Sequence, residues 1–389
     1  LKPTDGTGDF TFSRGSDISA TRVNEDGYIE KGYENLLLQS NTFSDAAWAD
    51  LYTTYTRTGG QEGYDGSNDA WELSKASASN GFITQNSVTA AGNVYTLSIY
   101  AKSGSQNGLS IFLGTPVLSV NLDTGNTFGL NRSIIDRSIT SVGNDWWKIE
   151  FTFLATGTGI NLKILDADTN ANAAGSIYIQ DAQINQGLVA YPYVETTTAP
   201  VAGGILEDMP RLDYSGSCPS LKLEPQRTNL VEYSEYFDGW EKQNVSNTAN
   251  ITTSPEGFVN AYTIADNATN SRHINYLNLN GDLSVSRTFS IYAKQNTLRY
   301  LFLSVTGSSD AHCYSAIFDL QDGVVSGTKT NGAATLTESI ENVGNGWYRC
   351  IISGTMTTAT ANYFPLIGTS DRPDFTGSLF NNNAPSYAG

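Results

Sequence analysis

The sequence is short of cysteine, histidine and charge. Three cysteines in 389 residues, Cys218, Cys313 and Cys350, are too few, and odd in number, for a disulfide framework. Cys313 and Cys350 read as buried free thiols, with a bridge between neighbouring strands as the alternative. The two histidines, His273 and His312, have no partner at HExxH or HxH spacing, so local zinc chemistry is absent and both read as surface or strand-packing residues. No GxSxG elbow and no phosphate-cradling glycine loop occurs, and Gly6-Thr7-Gly8 reads as a turn. A carboxylate pair for glycoside hydrolysis would come from distant strands and cannot be picked from the sequence, so the chain reads as a non-enzyme. No apolar run is long enough to span a bilayer or serve as a signal-peptide core. Charged residues are only 16% of the chain and sum to −17. A net-negative surface repels nucleic acid and anionic membranes, and neither is expected as a partner. The opening residue is Leu1 instead of Met, which reads as a fragment or processed product.

What the chain does have is Gly, Ser, Thr and Asn in quantity, with many Tyr and Phe, a profile of strands joined by turns. Its length calls for two domains. Residues Leu1 to Gly32 read as a polar arm, with a hairpin formed by Ala20–Val23 and Tyr28–Glu30 around the turn Asn24-Glu25-Asp26-Gly27. Asn35 to Ser40 opens a long β-pattern. Tyr95 to Lys102 alternates, with Leu97, Ile99 and Ala101 to one side and Thr96, Ser98, Tyr100 and Lys102 to the other. Leu109–Leu113 and Trp146–Phe153 are further strands, Asn121–Gly125 is a turn, and Ser176–Ile184 is a closing strand. Val194–Gly204 reads as a Thr/Ala/Pro/Gly linker, with Thr196–Gly204 the place for any flexible joint.

The second half repeats this order. Asn229–Ser234 matches Asn35–Ser40, Phe237 and Trp240 match Phe43 and Trp48, and Ala261–Ile264 matches Ala70–Leu73. Thr288–Lys294 matches Thr96–Lys102, Phe318–Gly323 matches Val120–Gly125, and Val343–Arg349 matches Val142–Lys148. Six anchors in one order at nearly constant offset indicate a duplicated domain. Asn229 onward is then the first strand of the second copy. The closing strand Ile177–Ile184 has no counterpart near the C-terminus, where Phe375–Gly389 reads as loop. Either the molecule continues past Gly389, the favoured reading, or a neighbouring subunit supplies the strand. The expected fold is all-β: two tandem antiparallel jelly-roll-like β-sandwiches joined by a structured connector, with a hairpin-like N-terminal arm. The divisions are 1–32 for the arm, 33–195 for the first sandwich, 196–228 for linker and connector, and 229–389 for the second sandwich.

Four segments, FTFSRGSDISATRVNEDGYIEKG, ENLLLQSNTF, GSIYIQDAQINQGLVAYPYVETTTA and PRLDYSGSCPSLKLEPQRTNLVEYSEYF, resemble structural proteins of tailed bacteriophages. These are tail-fibre, head-fibre or other virion-surface components with repeated carbohydrate-binding-module-like sandwiches. The resemblance covers nearly the whole chain. It implies a structural, non-catalytic protein on the virion surface, assembled in the bacterial host cytoplasm. It further implies contacts with other virion proteins, a homo-oligomer (trimers being usual for fibres) and contact with host cell-surface polysaccharide. In simpler relatives the arm-like and connector-like pieces are nearly adjacent, so residues near Arg22–Ile29 are expected against Arg211–Leu223. The alternative, of another class, is a glycan-binding accessory region of a secreted bacterial polysaccharide-degrading enzyme or adhesin.

Candidate site residues follow from chemistry. Sugar C–H faces stack on aromatic rings. Tyr100 and Tyr292 stand on the polar sides of matching strands. Trp146 and Trp347 read as core, which puts the following Trp147 and Tyr348 on the opposite face; these four, Tyr100, Tyr292, Trp147 and Tyr348, are the glycan candidates. The competing reading is that this face packs on another part of the protein. Trp48 and Trp240 read as core plugs. Asp65-Gly-Ser-Asn-Asp69 offers oxygens for a structural calcium ion through Asp65 and Asp69, with a plain polar turn as the alternative; no other cofactor is implied. Arg211, Asp213, Glu224 and Arg227 are the connector residues, with Arg227 and Glu224 read as a structural lock.

Overall fold

The computed structural model describes residues 21–375 apart from 87, 207–208, 215–217, 223–226, 268, 270, 308–311, 333–334 and 357–360, together with 380–381 and 384–387. Among these residues there is no α-helix, and every strand pair is antiparallel. The chain forms two compact units: residues 1–24 with 30–226, and residues 25–29 with 227–389.

In the first unit the strands are β1 (Thr21–Val23), β2 (Ile29–Asn35), β3 (Ala49–Leu51), β4 (Tyr55–Gln61), β5 (Ala70–Lys75), β6 (Phe82–Gln85), β7 (Val94–Ser103), β8 (Gly108–Phe112), β9 (Val117–Asn121), β10 (Ile134–Gly143), β11 (Trp146–Leu154), β12 (Ile160–Asp166), β13 (Ala171–Asn172), β14 (Gly175–Gln186), β15 (Val201–Gly204), β16 (Leu212–Asp213) and β17 (Ser220–Leu221). Two sheets make the sandwich: β10-β11-β7-β14-β5-β4 faces β3-β6-β12-β8-β9. Alternation builds the core between them. Leu97, Ile99 and Ala101 of β7, Ile149 and Phe151 of β11, and Ile177 and Ile179 of β14 meet Leu109, Ile111, Leu162 and Ile164 from the other sheet, all sealed from solvent.

The second unit contains β18 (Glu241–Gln243), β19 (Val245–Thr253), β20 (Val259–Asp266), β21 (Ser271–Arg272), β22 (Ile274–Tyr276), β23 (Leu279–Asn280), β24 (Arg287–Lys294), β25 (Tyr300–Thr306), β26 (Cys313–Asp319), β27 (Val324–Asn331), β28 (Thr337–Gly344), β29 (Trp347–Gly354), β30 (Asn362–Ser370), β31 (Phe380–Asn381) and β32 (Ala384–Tyr387). One sheet, β18-β22-β30-β25-β26-β27, repeats the order β3-β6-β12-β8-β9 with one strand added. The other layer exists in two pieces: β28-β29-β24 repeats β10-β11-β7, and β19-β20 repeats β4-β5. The position held by β14 between β7 and β5 has no described strand between β24 and β20.

Registers match as well as orders. Lys102 lies opposite Trp146, and Lys294 lies opposite Trp347. Both β-hairpins close through positive-φ residues, Asn144 and Asp145 in one and Asn345 and Gly346 in the other, the backbone that two-residue hairpin turns demand. Cys313 and Cys350 are buried free thiols on β26 and β29, and Cys218 is an exposed one. Burial pushes the Cys350 thiol up to about 12.

Three local expectations change. Leu36–Ser40 is not a strand, although Leu37 is core. Its backbone is satisfied by side chains instead: Leu38 N–H donates to Gln85 Oε1 (2.7 Å) and Ser40 N–H to Thr196 Oγ1 (3.2 Å). Its repeat, from Asn229 on, is likewise non-strand, and Tyr233 keeps the positive φ of Gln39. The Val194–Gly204 stretch is no loose joint: Thr196 is buried and donates to Leu37 O (2.6 Å), and β15 pairs with β2.

Candidate functional site

The connector residues come first. Arg211 Nε donates to Thr21 O (2.8 Å) and its Nη2 to Thr21 Oγ1 (2.6 Å). Lys222 N–H returns to Arg211 O (2.9 Å), and Asp213 sits opposite Ser220 in the small β16–β17 ladder. Arg227 is exposed, and Glu224 lies outside the described residues.

The aromatic candidates divide by strand parity. Because Ile149 and Phe151 face the core, Trp147 does too, and Trp146 faces the other way. The expected faces of this pair are therefore reversed. Trp147 packs on the core cluster and donates its indole N–H to Leu122 O (2.8 Å). It supports the Asn121–Gly125 turn so closely that a Cβ on Gly125 would stand 2.3 Å from its ring. Tyr348 repeats this under Gly323, at 2.7 Å. Trp147 and Tyr348 are thus turn supports, and the sequence pairs each with a glycine. Trp48 and Trp240 are buried core residues.

Tyr100 does lie on the outward, polar face of the first sandwich. Tyr64, from the loop after β4, stacks on it with centroids 3.6 Å apart and planes 4° from parallel. Trp146 meets Tyr64 edge-on at 6.5 Å. The loop is tied down to β14: Tyr64 N–H donates to Gln180 Oε1 (3.1 Å), and Tyr64 O–H to Asp181 Oδ2 (3.0 Å). Gln180 is itself the lateral neighbour of Tyr100.

A β-bulge at Asp181, which has positive φ, turns this carboxylate toward the loop. Burial raises its pKa to about 6, opposed by the Tyr64 hydroxyl and reinforced by the charges of Asp69, Asp65 and Glu195. Burial likewise raises the Tyr64 phenol, which stays neutral.

Asp65 and Asp69 are brought together beside this stack. Gln180 Nε2 donates to Asp69 Oδ1 (2.7 Å), Ser67 Oγ bonds both carboxylates, and Ser67 N–H donates to Asp65 Oδ1 (3.0 Å). Bonds from Ser67 hold the Asp65 carboxyl below its usual range. The groups between the two acids are hydrogen-bond donors, which suits a rigid polar turn. Among the described residues no group of three or more His, Cys, Asp or Glu is placed to hold a metal. His273 is buried beside Asn267 Oδ1 (3.3 Å).

The rest of the polar face is partly covered by the chain itself. Gln183 Nε2 donates to Tyr191 O (2.9 Å), Val194 N–H donates to Gln183 Oε1 (2.9 Å), and Asn185 Nδ2 donates to Val189 O (2.9 Å). The half around Tyr100 and Lys102 is covered by the Tyr64 loop, which seals Gln180 and leaves Tyr64, Tyr100 and Lys102 partly exposed. In the second sandwich Tyr292 takes Tyr100's place, with the Arg349 guanidinium 5.9 Å from its ring centroid.

No family model matches the chain. No curated protein matches it. Among solved structures it is similar to the CBM22-1–CBM22-2 tandem domain of Paenibacillus barcinonensis Xyn10C, over 97% of both chains, at 10% identity and TM-score 0.25. It is also similar to the CBM22-1–GH10 modules of Clostridium thermocellum endo-1,4-beta-D-xylanase 10B complexed with xylohexaose. That likeness covers 43% of this chain and 30% of the other, at 17% identity and TM-score 0.25. At these TM-scores neither likeness carries an argument about function, which rests on the chain's own geometry. The signal that would have found Tyr64 is weak: a lone aromatic in a Gly- and Asp-rich loop, joined to Tyr100 only by the fold.

Proposed function

We propose that the chain is a non-catalytic surface protein whose first sandwich binds glycan on the Tyr64–Tyr100 face. One observation carries this: two stacked, parallel tyrosines on the outward face of a sheet, beside the exposed carboxylates of Asp65 and Asp69, which the buried Gln180 amide holds in place. An aromatic ring takes the C–H face of a pyranose, and exposed carboxylates bond its hydroxyls. Tyr64 is the outer ring, so it is the stacking residue, and Tyr100 supports it. Single sites of this kind are weak and gain strength by multiplication in an oligomer.

Two settings would use such a protein. A glycan-binding accessory region of a secreted polysaccharide-degrading enzyme or adhesin needs only the sandwiches. A virion-surface or fibre protein touching host polysaccharide is the second reading, supported by the arm and connector phrases and by the Arg211–Thr21 bonds that join those two segments. The test is a bacterial polysaccharide array with the native chain, Tyr64→Ala and Tyr292→Ala. Binding that Tyr64→Ala reduces at least tenfold and Tyr292→Ala leaves intact supports the site. Binding at no millimolar sugar, or binding indifferent to Tyr64→Ala, refutes it.

A further inference from the structure

The second sandwich keeps both walls of a strand-wide slot. In the first sandwich β14 runs antiparallel to β7 and to β5 and joins them into one sheet. In the second, β24 ends its three-stranded sheet and β20 ends its two-stranded sheet. Burial differs accordingly between the two copies. Ile99, Ala101 and Leu73 are sealed, whereas their counterparts Ile291, Ala293 and Ile264 are only partly buried. Thr96 is buried, and Thr288 is exposed.

A second observation points to the occupant. Asn35 and Ser40 are fully buried because they grip β14: Asn35 Nδ2 donates to Ala182 O (3.3 Å), Ile184 N–H donates to Asn35 Oδ1 (3.3 Å), and Ala182 N–H donates to Ser40 O (3.1 Å). The repeat retains both residues as Asn229 and Ser234, and there they are exposed. Asn229 even keeps the local bond to Val231 N–H (3.0 Å) that Asn35 makes to Leu37 N–H (3.2 Å). The grip is built, and no described strand lies in it.

Among the described residues the chain's course leads elsewhere. After β12 only residues 167–174 precede β14, but after β30 the chain goes on to β32, which pairs with β21. We propose that a separate polypeptide completes the second sandwich by strand addition, entering between β20 and β24 antiparallel to both. Its chemistry is that of β14: apolar side chains at alternate positions toward the core, a bulge at the Asn229–Ser234 grip, and polar residues outward. Backbone ladder bonds supply affinity, and the alternating pockets supply register.

The probe is a synthetic peptide of Gly175–Gln186, GSIYIQDAQINQ, added to the 389-residue chain. One-to-one binding is expected, with slower amide hydrogen exchange at Thr288–Lys294 and a higher unfolding midpoint for the second sandwich. Asn229→Ala and Ser234→Ala change exposed residues and leave the fold intact. Asn229→Ala should weaken the peptide roughly three- to tenfold. A scrambled peptide should not bind. Refusal of the peptide at millimolar concentration, equal binding of the scrambled sequence, or slow exchange at Thr288–Lys294 before peptide is added would each overturn the proposal; the last would mean that the chain fills the slot itself.

Discussion

Ile99 and Ile291 occupy the same place on matching strands, yet Ile99 is sealed in its core and Ile291 is only partly buried. The difference sits where β14 covers β7 in one sandwich and nothing described covers β24 in the other. Truncating a fully buried isoleucine removes packing on every side, so Ile99→Ala should cost about 3–4 kcal/mol. Ile291→Ala should cost roughly half of that or less, because solvent already reaches the site. Denaturant unfolding of the two variants measures both. Equal losses would contradict the open edge.

Gly125 and Gly323 end the same turn in the two sandwiches, at φ +71° and +68°, each over an aromatic ring. An alanine there meets a left-handed backbone and a ring 2.3 or 2.7 Å away. Gly125→Ala is expected to destabilise by about 2–4 kcal/mol. Paired with Trp147→Ala, it should cost less than the sum of the two single changes, which a double-mutant cycle reads directly.

Much of the plan is legible in the sequence and some is not. Strict alternation in Tyr95–Lys102 and its repeat Thr288–Lys294 marks the strands and their outward tyrosines, and the lack of a second Ile177–Ile184 corresponds to the position between β24 and β20 where no described strand lies. Trp146-Trp147 defeats face assignment, because two adjacent aromatics carry no parity; only the downstream Ile149 and Phe151 settle which one is core. Leu36–Ser40 reads as strand because its composition suits one, but its backbone partners, Gln85 and Thr196, lie far along the chain. The Tyr64–Tyr100 stack depends on a loop held by Gln180, more than a hundred residues away in sequence, which no local pattern announces.

Asp181 sets a pH dependence. Its folded pKa, about 6, lies above the ordinary 3.8. The protonated form is therefore favoured by folding, and that stability is fully present below pH 3.8 and lost as pH rises through 6. The loss is on the order of 1–2 kcal/mol once residual solvent screening is allowed for. Asp181→Asn should remove this part of the slope between pH 4 and 6 while still accepting the Tyr64 hydroxyl. Urea unfolding across that range checks it, and an unchanged slope would reject the assignment.

Arg211 holds the arm through Thr21. Arg211→Ala should expose the chain around Arg22 and speed tryptic cleavage there several-fold, while the unfolding midpoints of both sandwiches stay within a degree or two. Cleavage at an unchanged rate would show that other contacts fix β1.

One β-sandwich plan is used twice, complete in the first copy and, among the described residues, open by one central strand in the second. Amide hydrogen exchange of the 389-residue chain compares the two copies directly. Thr96–Lys102, bonded on both edges, should be protected at every amide, whereas in Thr288–Lys294 the amides facing away from β29 should exchange orders of magnitude faster than those facing it. Uniform, equal protection of the two strands would contradict the claim.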